Sequence, residues 1–357
     1  PPRFTILAEG AFGVETAKTA SSAIRYRPDR VASIIDSEHA GRTVGDILGF
    51  GGDIPIVAGV DEALALDPPP EALLIGIAPQ GGALPDAWRP TLYRALEAGL
   101  DLWSGLHTFL VDDPALAARA EAAGRDLVDL RKPPPNLPVG TGKARDTDAL
   151  RVLTVGTDCN VGKMTASLEV VRELEARGLQ TGFGATGQTG ILLAGSGIAV
   201  DAVVSDFIAG AAERVTLEAA RGADVVLVEG QGSLLHPGYS GVTLGLLHGS
   251  MPQAMILCWM PSRPTIYGGN HGWVKIPPLD VVVRRYEDAL SWICPDVPGR
   301  IVAVSVTTYD LGEEEARAAV ERARDETGLP ATDPVRYGAG PLADAVLARR
   351  EELAAGA

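Results

Sequence analysis

Short apolar runs alternate with amphipathic segments along the first part of this chain. Residues 86–99 (DAWRPTLYRALEAG) and 113–124 (DPALAARAEAAG) have helical spacing. The apolar runs end in glycine or polar residues and are strand candidates: RFTILAEG (3–10), RVASIIDS (30–37), IPIVAG (54–59) and ALLIGIAPQGG (72–82). Such alternation is typical of a parallel sheet covered by helices. We therefore predict an α/β fold with a Rossmann-like N-terminal domain over about residues 1–130.

The same pattern resumes after a proline-rich stretch, residues 131–150, which we interpret as a linker between domains. Further strand candidates follow it: LRVLTVG (150–156), QTGFGATG (180–187), AVDAVVSD (199–206), ADVVLVEGQG (223–232), PQAMILCWM (252–260) and RIVAVSVTTYD (300–310). Residues 340–357 read as a closing helix. The pattern predicts a second parallel-sheet domain, of the P-loop α/β class, over residues 151–357.

Composition and charge narrow the class of protein. The chain has 357 residues, of which 46% are hydrophobic, enough for two cores. A net charge of −15 argues against a nucleic-acid partner, because phosphate backbones need a basic surface. No apolar run suits a membrane span, and the N-terminal stretch lacks a signal-peptide pattern. Cys159, Cys258 and Cys294 form no CxxC pair. We expect a cytoplasmic protein without a membrane partner, and a homo-oligomer by default.

The most specific motif is VLTVGTDCNVGKMTAS, residues 152–167. An apolar strand ends at Val155, small residues follow, and a helix is predicted to begin near Gly162. Unpaired N–H groups at a helix start attract anions, and glycine allows close approach of phosphate oxygens. Lys163 adds a full positive charge. The pattern predicts a phosphate-binding loop made of Gly156, Thr157, Asp158, Cys159, Asn160, Val161, Gly162, Lys163, Met164 and Thr165.

The loop departs from the usual GxxxxGK[ST] pattern in two ways. Five residues, rather than four, separate Gly156 from Gly162. Met164 stands where a hydroxyl normally ligates Mg²⁺. Thr165 follows one position later, about 100° further around a helix. Magnesium-dependent phosphoryl transfer therefore lacks its usual ligand here.

Polar side chains follow the predicted strands, and the carboxyl ends of parallel strands share one edge of a sheet. Glu229 and Gln231 follow one strand, and Asp206 either joins the site or caps the next helix. His236 is the residue type that most often acts as a base near neutral pH, and Arg263 suits a substrate carboxylate. The catalytic candidates are Lys163, Glu229 and His236. The substrate-binding candidates are Gln188, Thr189, Asp206, Gln231, Tyr239, Ser240 and Arg263.

The loop resembles the phosphate loop of dethiobiotin synthetases, GTDxxVGKT, except at Met164. Over nearly its whole length the chain resembles a two-domain family first catalogued as a domain of unknown function, whose characterised members are D-glutamate N-acetyltransferases. The stretches that carry this resemblance are GTDCNVGKMT, GQTG, SDFIAGAAE, VEGQGSLLHPGYSGVT and PSRPTIYG.

The resemblance implies acetyl-CoA as co-substrate and D-glutamate as acceptor. A loop that grips the CoA pyrophosphate without breaking it needs no metal ligand after Lys163, so Met164 is tolerated. Glu229 or His236 is then the base, and Arg263 grips a carboxylate of the acceptor.

Two alternatives stay open at this stage. In an ATP-dependent ligase or kinase, Lys163 would hold the β- and γ-phosphates while Asp206 and Glu229 held Mg²⁺. A non-catalytic nucleotide-sensing switch would bind its ligand without turnover.

Overall fold

The computed structural model describes residues 2–13, 16–77, 82–293 and 299–356. Its strands are β1 Phe4–Leu7, β2 Val31–Ile35, β3 Ile56–Val57, β4 Ala72–Ile75, β5 Asp101–Ser104, β6 Leu127–Asp129, β7 Leu150–Gly156, β8 Thr181–Gly184, β9 Val225–Val228, β10 Ala254–Trp259, β11 Arg300–Val306 and β12 Ala331–Thr332. Its helices are α1 Lys18–Tyr26, α2 Val44–Leu48, α3 Val60–Leu64, α4 Arg89–Glu97, α5 Pro114–Ala123, α6 Lys163–Ala176, α7 Gln188–Ala194, α8 Ile208–Ala219, α9 Ser240–Ser250, α10 Leu279–Ser291, α11 Glu313–Thr327 and α12 Gly340–Gly356.

The chain divides into two compact units, residues 1–133 with 188–202, and residues 134–187 with 203–357. The first unit contains a parallel sheet in the order β3-β2-β1-β4-β5-β6. Strands β1, β2 and β4 are buried along their whole length. Their continuous apolar runs fit a sheet that is covered on both faces. This unit has the strand order of a Rossmann-type fold, as the sequence predicts.

The second unit contains a parallel sheet in the order β12-β11-β10-β7-β9-β8. Strand β7 lies between β9 on one side and β10 on the other. The chain therefore reverses its direction of travel across the sheet at β7, and ligands of open α/β sheets bind outside the carboxyl ends of strands at such a point. The predicted phosphate loop leaves β7 at this position, directly before α6.

Most predicted elements are present, including the closing helix, and the fold class is confirmed. The strand predicted at residues 199–206 is wrong. The structure has two short 3-10 helices there, Val200–Ala202 and Ser205–Phe207, and Val204 is 67% exposed. Asp201 interrupts the apolar run, so too little of it is available for a buried strand. No pattern in the sequence predicted β12, which is only two residues long.

Two segments pack differently from what the sequence pattern predicts. The sequence pattern assigns residues 188–202 to the P-loop domain, whereas they cluster with the first unit. There α7 packs on α1, and Thr189 Oγ1 lies 3.1 Å from Thr19 Oγ1. The proline-rich segment is anchored within the second unit, because the Glu213 carboxylate of α8 accepts hydrogen bonds from the backbone N–H groups of Thr141 and Lys143.

In the described part of the chain, no helix is both long enough and apolar enough to cross a membrane. Cys159 and Cys258 are free thiols. The third cysteine of the sequence, Cys294, lies outside the described residues.

Candidate active site around the phosphate loop

The phosphate loop connects Gly156, the last residue of β7, to Lys163, the first residue of α6. Gly162 caps the helix with φ 90°, a left-handed conformation that favours glycine. A Cβ at Gly162 would lie 2.5 Å from Thr307 Oγ1, so the close contact also requires glycine. Lys163 is 7% exposed, and its ammonium donates to the Asp158 carbonyl oxygen at 2.6 Å. The loop thus folds around its own lysine.

The hydroxyl of Thr157 is a buried polar group of the loop that the described fold leaves unsatisfied. Thr157 is fully buried, and its backbone N–H donates to the Cys258 carbonyl oxygen at 3.0 Å. Within the described residues, no hydrogen-bond partner meets its Oγ1. A buried hydroxyl without a partner is costly, and a bound anion would supply the missing acceptor. Thr157, Lys163 and the N-terminus of α6 therefore fit a phosphate or pyrophosphate group.

The first turns of α6 offer no hydroxyl directly after the lysine. Met164 is 4% exposed and contributes to the core. The hydroxyl of Ser167 is engaged within the fold, with Thr154 Oγ1 at 3.0 Å and the Lys163 carbonyl oxygen at 3.1 Å. This local chemistry suits a loop that binds phosphate oxygens without a hydroxyl directly after the lysine.

The segment after β10, residues 261–278, is tied to the loop by hydrogen bonds from Tyr267 and Arg263. Asp158 Oδ2 accepts from the Tyr267 backbone N–H at 2.8 Å, and its Oδ1 accepts from the Cys159 N–H at 2.6 Å. Arg263 Nη1 donates to the Cys159 carbonyl oxygen at 3.1 Å. The Arg263 guanidinium also stacks on the Tyr267 ring, 4.5 Å from its centroid. Residues 262–269 and Gly272 line an open pocket of about 280 Å³.

The segment after β9 begins with a buried carboxylate. Glu229 is 3% exposed, and its Oε2 accepts from the backbone N–H groups of Thr186 and Gly187, each at 3.1 Å. Gln231 Nε2 donates to Thr186 Oγ1 at 3.3 Å. The structure therefore brings Glu229 and Gln231 together around the end of β8. Sequence reasoning missed Thr186, which lies near the end of the predicted strand 180–187.

His236 lies further along the same segment and is 3% exposed. Its Nδ1 accepts from the Gly238 N–H at 3.0 Å. Its ring centroid is 4.5 Å from that of Tyr239 and 4.8 Å from that of His271. Burial lowers the pKa of His236, and the charges of His271 and Lys163 act in the same direction, while Asp158 opposes them. The ring is therefore neutral at pH 7.

One group of possible metal ligands occurs among the described residues: a carboxylate oxygen of Asp158, the thiol of Cys159 and a ring nitrogen of His236 lie within 4.8 Å of one another. A neutral histidine has one nitrogen lone pair, and that of His236 accepts from Gly238. The group therefore lacks an imidazole lone pair for a cation. Asp206 and Glu229, the carboxylates of the ATP and Mg²⁺ alternative, are not part of it.

The remaining predicted substrate-binding residues lie at or just before the starts of α7, α8 and α9. Gln188 and Thr189 begin α7 in the first unit, and Thr189 is buried. Asp206 is exposed and does not cap α8, whose N-cap is Phe207. Tyr239 is 54% exposed at the N-cap of α9, and Ser240 is the first residue of that helix.

Tyr286 of α10 is a site residue that sequence reasoning missed. Its hydroxyl donates to the Gly156 carbonyl oxygen at 2.7 Å and accepts from the Leu234 N–H at 3.1 Å. It thereby links the start of the phosphate loop to the segment that carries His236. No local sequence pattern indicates the role of Tyr286, because it occupies an ordinary apolar position of an amphipathic helix.

Comparison with known proteins decides the family. The model of the DUF1611 P-loop domain, a domain of unknown function, matches residues 138–343, and that of the DUF1611 N-terminal Rossmann-like domain matches residues 37–133. This chain belongs to the DUF1611 family.

Relatives of this DUF1611 protein carry an activity in their names. It is 45% identical over 279 residues to a D-glutamate N-acetyltransferase of Tritonibacter scottomollicae, an alignment that covers 78% of this chain and 81% of that protein. It is 37% identical over 268 residues to a D-glutamate N-acetyltransferase of a Pseudoalteromonas species, covering 75% and 79%. A crystal structure of a DUF1611 family protein from Anabaena variabilis matches with a TM-score of 0.90 and 41% identity, over 97% of this chain and 99% of that one.

Proposed function

We propose that this DUF1611 protein is an N-acetyltransferase that moves an acetyl group from acetyl-CoA to the amine of a small acidic amino acid, D-glutamate. Two relatives that share 45% and 37% of aligned residues with it are named for that activity. The observation that carries the role of acetyl-CoA is the loop itself. It combines a buried lysine and an unmet buried hydroxyl with Met164 in place of the magnesium-ligating hydroxyl.

The loop is the binding site for the CoA pyrophosphate in this proposal. The N–H groups of the first turn of α6, the Lys163 ammonium and the Thr157 hydroxyl are all donors, and the pyrophosphate offers only acceptors. Lys163 would exchange its present partner, the Asp158 carbonyl oxygen, for a phosphate oxygen. The phosphates are gripped and not consumed, so no metal ligand is needed after the lysine.

Acetyl transfer also requires an acceptor for the amine proton, a donor to the carbonyl oxygen of the thioester and a cation for the acceptor's carboxylates. The candidates around the loop are His236, Glu229 and Gln231. Arg263 is the cation: its Nη1 is used by the loop, and a guanidinium has further donors for a carboxylate.

Ligand binding separates this function from the ATP-dependent alternative. Binding of acetyl-CoA, CoA, ATP and ATP with Mg²⁺ is measured by calorimetry and by thermal shift, for the wild type and for Lys163→Ala. Lys132→Ala is the control, because Lys132 is half-exposed and pairs with Asp112. A ligand that binds only the folded state raises Tm by mass action. We expect CoA species to stabilise the wild type without Mg²⁺ and Lys163→Ala to bind at least about tenfold more weakly. Stabilisation by ATP only with Mg²⁺ would exclude the acetyltransferase proposal.

A further inference from the structure

Two histidines meet next to the phosphate loop, one from each side of β7. Strands β9 and β10 flank β7, and the segment that follows each of them carries a histidine, His236 after β9 and His271 after β10. Their ring centroids are 4.8 Å apart, at an interplanar angle of 54°. The topology of the sheet thus places two imidazoles at the switch point, where a ligand of this fold binds.

Backbone hydrogen bonds give the two rings opposite tautomers. The Gly238 N–H can only donate, so Nδ1 of His236 accepts and the proton of the neutral ring lies on Nε2. The Gly268 carbonyl oxygen can only accept, so Nδ1 of His271 donates to it at 3.2 Å. In the neutral His271 ring, Nε2 therefore carries the lone pair. One ring offers a donor at Nε2 and the other an acceptor.

We infer that His271 is the general base of acetyl transfer and that His236 donates a hydrogen bond to the acetyl carbonyl oxygen. This assignment rests on the proposed function. It gives His271 the role for which the sequence analysis offered His236 or Glu229.

The proton and bond balance of the step is complete with these groups. His271 Nε2 takes one proton from the ammonium of the amino acid, which leaves a neutral amine. The lone pair of that amine forms the new C–N bond at the acetyl carbon, while His236 Nε2–H stabilises the charge that develops on the carbonyl oxygen. The C–S bond then breaks, the second amine proton passes to the departing thiolate, and His271 releases its proton to water.

The surroundings of the two rings fit the roles of His271 as base and His236 as hydrogen-bond donor. His236 is buried and held between Tyr239 and His271, which suits a fixed donor. His271 is only partly buried and lies in the segment that lines the open pocket, so it can exchange a proton with solvent. The charged groups that act on the buried ring, besides His271, are Asp158 and Lys163.

The tautomers are tested first, without any substrate. Two-bond ¹⁵N–¹H correlation spectra of ¹⁵N-histidine-labelled protein, recorded at alkaline pH, distinguish the two tautomers. His236→Asn and His271→Asn provide the assignments. We expect a protonated Nε2 in His236 and a protonated Nδ1 in His271. The same tautomer in both rings, or the reverse arrangement, would overturn the inference.

Kinetics then test the roles. Asn in place of His271 keeps a donor for Gly268 but has no base at the position of Nε2. We expect kcat/KM to fall about 100- to 1,000-fold, one limb of its pH profile to be lost, and added imidazole to restore part of the rate. Asn in place of His236 keeps an acceptor for Gly238 but removes the Nε2 donor. We expect kcat to fall about 100-fold while that limb persists, and His236→Gln, which restores a donor, to recover much of the rate.

The control is His248→Gln, because His248 donates from Nε2 to the Ala289 carbonyl oxygen of α10 and an ε-amide can replace that bond. Its rate is expected to match the wild type. If the limb of the pH profile survives in His271→Asn and disappears in His236→Asn, the assignment of the two roles is wrong, while the proposed function still stands. A wild-type protein that transfers no acetyl group would instead overturn the proposed function, whatever the variants do.

Discussion

At the scale of single residues, the buried hydroxyl of Thr157 gives the sharpest test of the loop. Thr157→Val removes a polar group that has no partner in the described structure and keeps nearly the same shape. We expect the free energy of unfolding of the ligand-free protein to stay the same or rise by about 1 kcal/mol, and the Kd for acetyl-CoA to increase about tenfold.

Urea unfolding and calorimetry measure the two effects. Thr5→Val is the matched control, because the hydroxyl of Thr5 is buried but bonded to Ser33 Oγ at 2.8 Å. It is expected to cost about 1–2 kcal/mol of stability, since Ser33 loses its partner, and to leave the Kd unchanged. Equal effects of the two substitutions on the Kd would show that Thr157 does not contact the ligand.

The sequence predicted those site residues that belong to a short, local motif. Gly156, Gly162 and Lys163 stand in a recognisable order between a strand and a helix. The bond from the Tyr267 N–H to Asp158 and the bond from Tyr286 to Gly156 join residues 109 and 130 positions apart. Such contacts depend on which strands are neighbours, and no spacing in the sequence encodes them.

At the scale of elements, the alternation of apolar runs and helical spacing predicted nearly every strand that is buried on both faces. It failed at residues 199–206, where two short 3-10 helices replace the predicted strand. It also could not show that α7 packs on α1, because the apolar face of a helix does not reveal its partner.

The prediction at this scale concerns the proline-rich segment and the Glu213 carboxylate that anchors it. Glu213 of α8 is 5% exposed and accepts from the Thr141 N–H, the Thr141 hydroxyl and the Lys143 N–H at 3.0, 2.8 and 2.8 Å. Glu213→Ala is expected to lower the free energy of unfolding by about 2–3 kcal/mol and to speed tryptic cleavage after Lys143 about tenfold or more. Limited proteolysis with mass spectrometry measures the second effect.

The control for Glu213 lies on the same helix. Glu218 is partly exposed and pairs with Arg214 at 2.9 Å, so Glu218→Ala is expected to change stability by less than about 0.5 kcal/mol. If Glu213→Ala were cleaved at the same rate as Glu218→Ala, the anchoring of the segment by α8 would be wrong.

At the scale of the whole molecule, two buried acids predict how stability varies with pH. Burial raises the pKa of Cys258 from 9.0 to about 12 and that of Tyr286 from 10.0 to about 12. Between the unfolded and folded pKa values the unfolded chain binds fewer protons, so the free energy of unfolding falls as pH rises. This contribution is fully present below pH 9 and is lost as pH rises toward about 12.

Urea unfolding across the alkaline range checks this sign. Cys258→Ala removes one of the two titrating groups, so its stability is expected to fall less steeply with pH than that of the wild type, although it is lower overall because a small cavity remains. Parallel curves for the two proteins would contradict the assignment of the slope to Cys258.

Transfer of a labelled acetyl group from acetyl-CoA to D-glutamate is the decisive test of the proposed activity. The wild-type protein is incubated with D-glutamate and [¹³C]acetyl-CoA in the presence of EDTA and without ATP, and both products are quantified by mass spectrometry. The account predicts labelled N-acetyl-D-glutamate and free CoA in equal amounts, with Lys163→Ala strongly impaired at limiting acetyl-CoA. Absence of labelled product, or formation of a product only when ATP and Mg²⁺ are supplied, would contradict it.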